Sequence, residues 1–142
     1  MLSDLMLARR TLAESGANMV IARGGEIIFM GWSKGLRDLA KIALTSPGLL
    51  EGSSVADKIV GKAVAVICSM NGVKAVYAQL MSSPALEELE RSGIETHYER
   101  LAPYIETPSG EICPFEKLIM HLGNRDEAYR MLLERFRKLG WG

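Results

Sequence analysis

The chain has 142 residues, and 17 lysines and arginines balance 17 aspartates and glutamates, so its formal net charge is zero. A neutral chain has no overall positive field, which argues against nucleic-acid binding and permits self-association into a homo-oligomer. The longest apolar run, residues 63–68, is too short to span a membrane, and the pattern of a signal peptide is missing. Two cysteines are too few for a disulfide framework. We therefore expect one soluble, cytoplasmic domain over residues 1–142.

The first 50 residues predict a helix, a hairpin and a second helix. Ser3 can cap the first helix and Gly16 can end it. The pair Gly24-Gly25 lies between two short β-branched runs, as in the turn of a hairpin. The elements are a helix over 3–15, strands over 19–22 and 27–30, and an amphipathic helix over 36–43.

Residues 54–69 predict a buried helix. Their apolar side chains lie on nearly every side of a helix, and Ser54 with Asp57 has the spacing of a capping box. Many of these residues are β-branched, so a strand is the competing prediction, and the length of the segment favours the helix. Asn71-Gly72 is expected to end it.

The second half predicts a strand–helix–strand unit followed by two helices. Such a unit implies parallel strands joined by a right-handed crossover. The predicted elements are a strand over 73–80, a helix over 84–92, a strand over 94–100, a helix over 114–122 and a helix capped by Asp126. Together with the hairpin they predict a three-layer α/β/α domain with a mixed sheet.

This order of elements resembles the cytidine deaminase-like fold. Zinc-dependent deaminases open the buried helix with His/Cys-Ala-Glu and the next helix with Pro-Cys-x-x-Cys. The corresponding segments here, Val55-Ala56-Asp57 and Pro84-Ala85-Leu86-Glu87-Glu88, keep the alanine and the proline but lack the ligands. Only Glu88 could coordinate a metal, whereas catalytic zinc needs about three protein ligands. We therefore expect neither a metal nor another cofactor, and no ordinary zinc-dependent deamination.

A closer resemblance is to the uncharacterised family called domain of unknown function 1893. It rests on four segments, which are VADKIVGKA at 55–63, GVKAVYA at 72–78, PYI at 103–105 and CPFEK at 113–117. The resemblance implies the deaminase-like fold without the zinc site. It implies no reaction, because function belongs to sites rather than to folds.

The first candidate site is the group of Asp57, Lys58 and Lys62. If the segment is helical, both lysines lie on one face near its N-terminus, where backbone N–H groups and the helix dipole favour anions. These residues then form a phosphate or carboxylate site. The alternative is that Asp57 only caps the helix while the lysine side chains extend outward to water.

The second candidate site is Cys113 with Glu116. Pro114 predicts a helix start that leaves Cys113 at the N-cap, where unpaired N–H groups favour a thiolate. Glu116, one turn further, can act as a base or complete a capping box. The alternative for Cys113 is a buried cysteine that packs as a small hydrophobic residue.

The third candidate is the pair Ser82 and Ser83, which follows a predicted strand. Ligands of α/β proteins bind at the carboxyl ends of parallel strands. Ser83 also fits the N-cap of the next helix, with Pro84 at its first position. The helix starts predicted at Ser54 and Ser83 are expected at the same edge of the sheet, where they form the mouth of a ligand site.

Two functions follow from these residues. The first is a zinc-independent enzyme with Cys113 as nucleophile or redox thiol, Asp57 or Glu116 as proton carrier, and Lys58 with Lys62 as an anion clamp. The alternative is a non-catalytic module that binds a nucleotide or another small anion. An interaction protein without a ligand is a third possibility. The sequence does not decide whether the chain is an enzyme.

Overall fold

The computed structural model describes residues 2–142, which form a central sheet with helices on both faces. The helices and strands are α1 (Asp4–Ser15), β1 (Met19–Arg23), β2 (Glu26–Gly31), α2 (Arg37–Thr45), β3 (Ser54–Val60), α3 (Lys62–Met70), β4 (Ala75–Ser82), α4 (Ser83–Arg91), β5 (Glu95–Ala102), α5 (Pro114–Ile119) and α6 (Arg125–Lys138). A short 3₁₀ turn, Pro47–Leu49, follows α2. No helix within residues 2–142 is both long and apolar enough to cross a membrane.

The sheet is mixed and has the strand order β2-β1-β3-β4-β5. Strand β1 is antiparallel to both β2 and β3. Strands β3, β4 and β5 are parallel to one another, and each crossover between them is a helix. The predicted hairpin and the parallel strand–helix–strand unit are confirmed.

Alternate residues of the strands contribute to two separate cores. On one face, α1 buries Leu5, Ala8 and Leu12 against strand residues that include Val20 and Tyr77. On the other face, α2 to α6 pack over the neighbouring strand positions, such as Ile21. The predicted α/β class with a mixed sheet between two helical layers is therefore confirmed.

The prediction of one helix over residues 54–69 is wrong. The segment is a strand, Ser54–Val60, followed by a helix, Lys62–Met70, with Gly61 between them. Strand β3 is central and is buried on both faces, so its sequence shows no alternation of polar and apolar residues. Without that alternation, the mostly apolar sequence fits a buried helix as well as a strand. Ser54 and Asp57 consequently form no capping box.

Two predicted helix caps are displaced by one or two residues. The N-cap of α4 is Ser82 rather than Ser83, and its hydroxyl accepts a hydrogen bond from the Ala85 N–H at 3.2 Å. The N-cap of α6 is Asn124 rather than Asp126. At α1 the predicted cap Ser3 and terminal Gly16 are both confirmed.

Candidate functional site

A cavity of about 410 Å³ opens at the end of β3. Small-molecule sites in proteins have volumes of about 300–1,000 Å³. Its walls come from the start of β1, the loop before α2, the end of β3, the start of α3 and the loop between β5 and α5. The lining residues with reactive or charged groups are Lys34, Asp57, Lys58, Glu106, Cys113 and Glu116, and the apolar ones include Leu36, Ile59, Val64, Ile105 and Pro108.

Asp57 is a buried carboxyl group in this wall. It lies on β3 between Met19 of β1 and Ala78 of β4, and only 8% of its surface is exposed. Its Oδ1 accepts a hydrogen bond from the Ile59 N–H at 3.2 Å. Among the described residues 2–142, no cationic side chain forms an ion pair with it.

Burial raises the pKa of Asp57 to about 7. The nearby carboxylate of Asp38 acts in the same direction, while hydrogen bonds from backbone N–H groups partly oppose the rise. At neutral pH the group is therefore present both as an acid and as a base. Such a carboxyl group can donate or accept a proton without a change of pH.

Cys113 lines the same cavity from the start of α5. It occupies the predicted N-cap position of α5, with Pro114 at the first helical position. Its N–H donates a hydrogen bond to the Ile105 carbonyl at 2.8 Å, and its side chain is partly exposed. The structure thus brings together Asp57, Lys58, Cys113 and Glu116, which the sequence had placed at two separate helix starts.

Glu116 braces the walls of the cavity. Its carboxylate is 1% exposed and accepts three hydrogen bonds. Oε2 accepts from the Lys62 N–H at 2.7 Å and from the Ser82 hydroxyl at 3.1 Å, and Oε1 accepts from the Ile105 N–H at 3.0 Å. This geometry joins α5 to the start of α3, the end of β4 and the loop after β5. It favours a positioning role over the predicted role of Glu116 as a base.

The two predicted clamp lysines lie apart. Lys58 is among the residues that line the cavity, whereas the Lys62 ammonium donates to the carbonyls of Ile119 at 3.1 Å and Leu122 at 3.0 Å. These carbonyls terminate α5, where a cation is favoured. The separation follows from the corrected secondary structure, because residue 58 is in a strand and residue 62 begins a helix.

None of the three predicted serines is among the residues that line the cavity. Ser54 begins β3, and because β3 and β4 are parallel, this end lies at the opposite edge of the sheet from Ser82 and Ser83. The prediction that Ser54 and Ser83 open on one edge is therefore wrong. Ser82 reaches the site only through its hydrogen bond to Glu116, and Ser83 donates to the Ala102 carbonyl at 3.3 Å.

Glu88 is engaged elsewhere. Burial opposes its ionisation, but hydrogen bonds from Arg91, Arg125 and Ser92 hold its pKa below the ordinary value. Residues 2–142 hold no group of three histidine, cysteine or acidic side chains arranged to bind a metal ion.

The segment Val55-Ala56-Asp57, which the resemblance placed at the start of the buried helix, lies instead in β3, and that helix begins at Lys62.

The sequence did not indicate four polar residues of the lining, which are Glu106 and Thr107 in the loop between β5 and α5, together with Asn18 and Lys34. Asn18 precedes β1, and its amide donates to the carbonyls of Trp32 at 3.0 Å and Ser33 at 3.1 Å. These bonds hold the loop that carries Lys34 to the cavity wall. Asn18 and Lys34 come from the first 35 positions of the chain, so only the tertiary fold brings them to the cavity that Cys113 lines.

Three comparisons with known proteins bear on the fold and the family. The model of the family "Domain of unknown function (DUF1893)" matches residues 7–136. The crystal structure of a DUF1893 family protein from Thermotoga maritima is similar, with a TM-score of 0.81 and 28% identity, over 89% of this chain and 86% of that one. A comparison with curated proteins gives no match.

A more distant likeness is to apo dCMP deaminase from the cyanophage S-TIM5. Its TM-score is 0.45 at 19% identity, over 56% of this chain and 77% of that one. The likeness concerns the fold of part of the chain.

Proposed function

This chain belongs to the DUF1893 family, and we propose that its 410 Å³ cavity binds a small molecule and supports a zinc-independent reaction. In this proposal Asp57 moves a proton and Cys113 supplies the reactive thiol. The observation that supports it is the meeting of these two side chains, 56 positions apart in the chain, on the wall of one cavity. Glu116 keeps the walls in place.

The chemistry follows from the two groups. When a thiol adds to an electrophilic carbon such as a carbonyl, a sulfur–carbon bond forms and the π electron pair moves to oxygen. The thiol proton must be removed and the oxygen must gain a proton. A carboxyl group whose pKa is about 7 can carry out either transfer at neutral pH. Asp57 is thus suited to both transfers.

Two lysines of the lining are available to pair with an anionic ligand. Lys34 and Lys58 line the cavity together with the carboxyl groups of Asp57, Glu106 and Glu116. The three hydrogen bonds to Glu116 come from uncharged donors and leave its charge in place, while Asp57 is partly neutral at pH 7, so the positive and negative groups nearly balance. A nucleotide or another small anion would direct its charge to the lysines and its apolar part to side chains such as Leu36.

A second candidate is a non-catalytic module that binds the same ligands. The three hydrogen bonds to Glu116 favour this second candidate, because they hold that carboxylate in a structural role. Of the three predicted catalytic residues, only Asp57 then has a carboxyl group that is free to move protons. In this case Cys113 and Asp57 contribute to binding without chemical change. Both candidate functions use the same cavity. They differ in whether replacement of Cys113 abolishes turnover of the ligand or changes only its affinity.

The experiment is a thermal-shift screen with nucleosides, nucleotides and phosphosugars. A ligand at 100 times its Kd adds about 2.7 kcal/mol of stability. Lys58→Met should weaken binding, whereas the matched control Lys41→Met should leave the affinity unchanged, since Lys41 is exposed on α2 and is not among the residues that line the cavity. If no compound stabilises the protein, or if both lysine variants lose binding equally, the assignment of the cavity fails.

Turnover of a ligand found in this way then separates the candidates. An enzyme loses turnover on Cys113→Ser and on Asp57→Asn while it retains binding. A binding module converts no ligand, and both variants change its affinity alone.

A further inference from the structure

Strand β5 leaves a long free edge. It is the last strand of the sheet, and its eight residues exceed the mean strand length of about five or six. Most of its side chains are exposed, and among them Tyr98 has 42% and Leu101 45% of its surface accessible. Helix α1 packs mainly on β1 to β4 and reaches β5 through an ion pair between Arg9 and Glu99 at 2.6 Å. An uncovered edge of this length is a template for another strand.

The hydrogen-bonding groups on this edge can be assigned by alternation. The Glu95 N–H donates to the Lys74 carbonyl at 3.2 Å, so residue 95 directs its backbone toward β4. Successive residues of a strand direct their N–H and C=O groups to opposite sides. The backbone groups of Thr96, Tyr98 and Arg100 therefore lie on the free edge.

A second copy of the chain can continue the sheet about a two-fold axis perpendicular to it. The two β5 strands are then antiparallel, and residues on the same face lie opposite each other. Three registers place the axis within the middle of the strand, at residue 97, 98 or 99. The charges of β5 distinguish them.

Two of these registers place like charges together. With the axis at His97, Glu95 of each copy lies opposite Glu99 of the other. With the axis at Glu99, the two copies of Glu99 lie opposite each other. Like charges directly opposite across strands are destabilising. Both registers are disfavoured.

The register centred on Tyr98 has no such conflict. It places His97 opposite Glu99 and Thr96 opposite Arg100, each twice, and brings the two exposed tyrosines together. We propose that two copies of this chain form a dimer through β5, antiparallel and centred on Tyr98, which extends the five-stranded sheet to ten strands. Charged residues on edge strands commonly prevent pairing. On β5 their order instead disfavours two registers and allows one.

Cysteine cross-linking tests the register directly. In a hydrogen-bonded antiparallel pair the opposing Cα atoms are about 5.5 Å apart, within the range of about 4.4–6.8 Å that a disulfide spans. We would introduce Tyr98→Cys in a Cys113→Ser background, where the remaining Cys68 is buried. His97→Cys and Glu99→Cys are the matched controls, because each places its thiols at the centre of one rejected register. A short thiol-to-thiol cross-linker provides a second readout.

Oxidation should cross-link Tyr98→Cys efficiently and the two control variants several-fold less. Light scattering of the unmodified protein should give twice the chain mass of 15.6 kDa. Tyr98→Pro should give the monomer with its circular dichroism preserved, since the lost N–H lies on the free edge. A monomer at all concentrations, or a dimer that cross-links best through His97→Cys or Glu99→Cys or through none of the three, would overturn the proposal.

Discussion

Replacement of Asp57 by asparagine is predicted to stabilise the fold at neutral and alkaline pH. Asparagine has nearly the same shape, and its carbonyl oxygen can accept the hydrogen bond that Ile59 now donates to Asp57. It carries no charge, so it avoids the cost of an ionised group that is 8% exposed and has no cationic partner among residues 2–142. The gain should depend on pH.

The size of the effect follows from the pKa of Asp57. Its ordinary value of 3.8, which applies to the unfolded chain, rises to about 7 in the folded protein. The folded state therefore holds the proton more tightly between these values, and stability falls as pH rises through that window. The loss attributable to Asp57 is absent below pH 3.8 and reaches about 4 kcal/mol above pH 7. Asp57→Asn should recover this amount.

Urea denaturation from pH 4 to pH 8.5 measures the effect. The difference in unfolding free energy between Asp57→Asn and the unmodified protein should grow steadily between pH 4 and pH 7 and then level off. Asp126→Asn is the matched control. Its carboxyl group is exposed on the first turn of α6, where a charge contributes less than about 1 kcal/mol. A constant difference for Asp57→Asn across this range would refute the reasoning.

Three further predictions concern the walls of the cavity. Glu116→Ala removes the acceptor of three hydrogen bonds and should lower the unfolding free energy by about 3–5 kcal/mol, and Glu116→Gln should lower it by less. Urea denaturation measures both losses. A loss below about 1 kcal/mol for Glu116→Ala would contradict the bracing role. Gly61→Ala places a Cβ against Glu116 Oε2 and 3.1 Å from Ile105, so it should cost about 1–3 kcal/mol in the same assay. Lys62→Met should speed hydrogen exchange in α5 but not in α1, and equal exchange in both proteins would exclude the anchoring role.

The sequence alone predicts those helices and turns that are defined by residues close to one another in the chain. Ser3 and Gly16 bound α1 because capping depends on neighbouring residues, and Gly24-Gly25 marks the hairpin because both glycines adopt positive φ there. The boundary between β3 and α3 was not predicted, and the reason is physical. The central strand β3 and the buried helix α3 are both mostly apolar, and Gly61 lies at the boundary between them.

The candidate site was predictable in part. Cys113 and its N-cap position follow from Pro114 alone, and Asp57 was identified as a candidate, although as a helix cap rather than a strand residue. The meeting of these residues depends on the hydrogen bonds of Glu116 across three elements, which no local pattern encodes. The sequence placed Lys58 and Lys62 together for a different reason, because residues 54–69 were predicted as one helix, whereas residue 58 lies in β3 and residue 62 begins α3.

The central claim is that Asp57 and Cys113 share one cavity and that Asp57 changes its protonation there near neutral pH. The most direct test is a carbon NMR titration of the Asp57 carboxyl group, before and after Cys113 is alkylated with iodoacetamide. We expect a midpoint near pH 7 in the free protein and a displaced midpoint once the alkyl group occupies the cavity. A midpoint near 3.8 that alkylation leaves unchanged would contradict the claim.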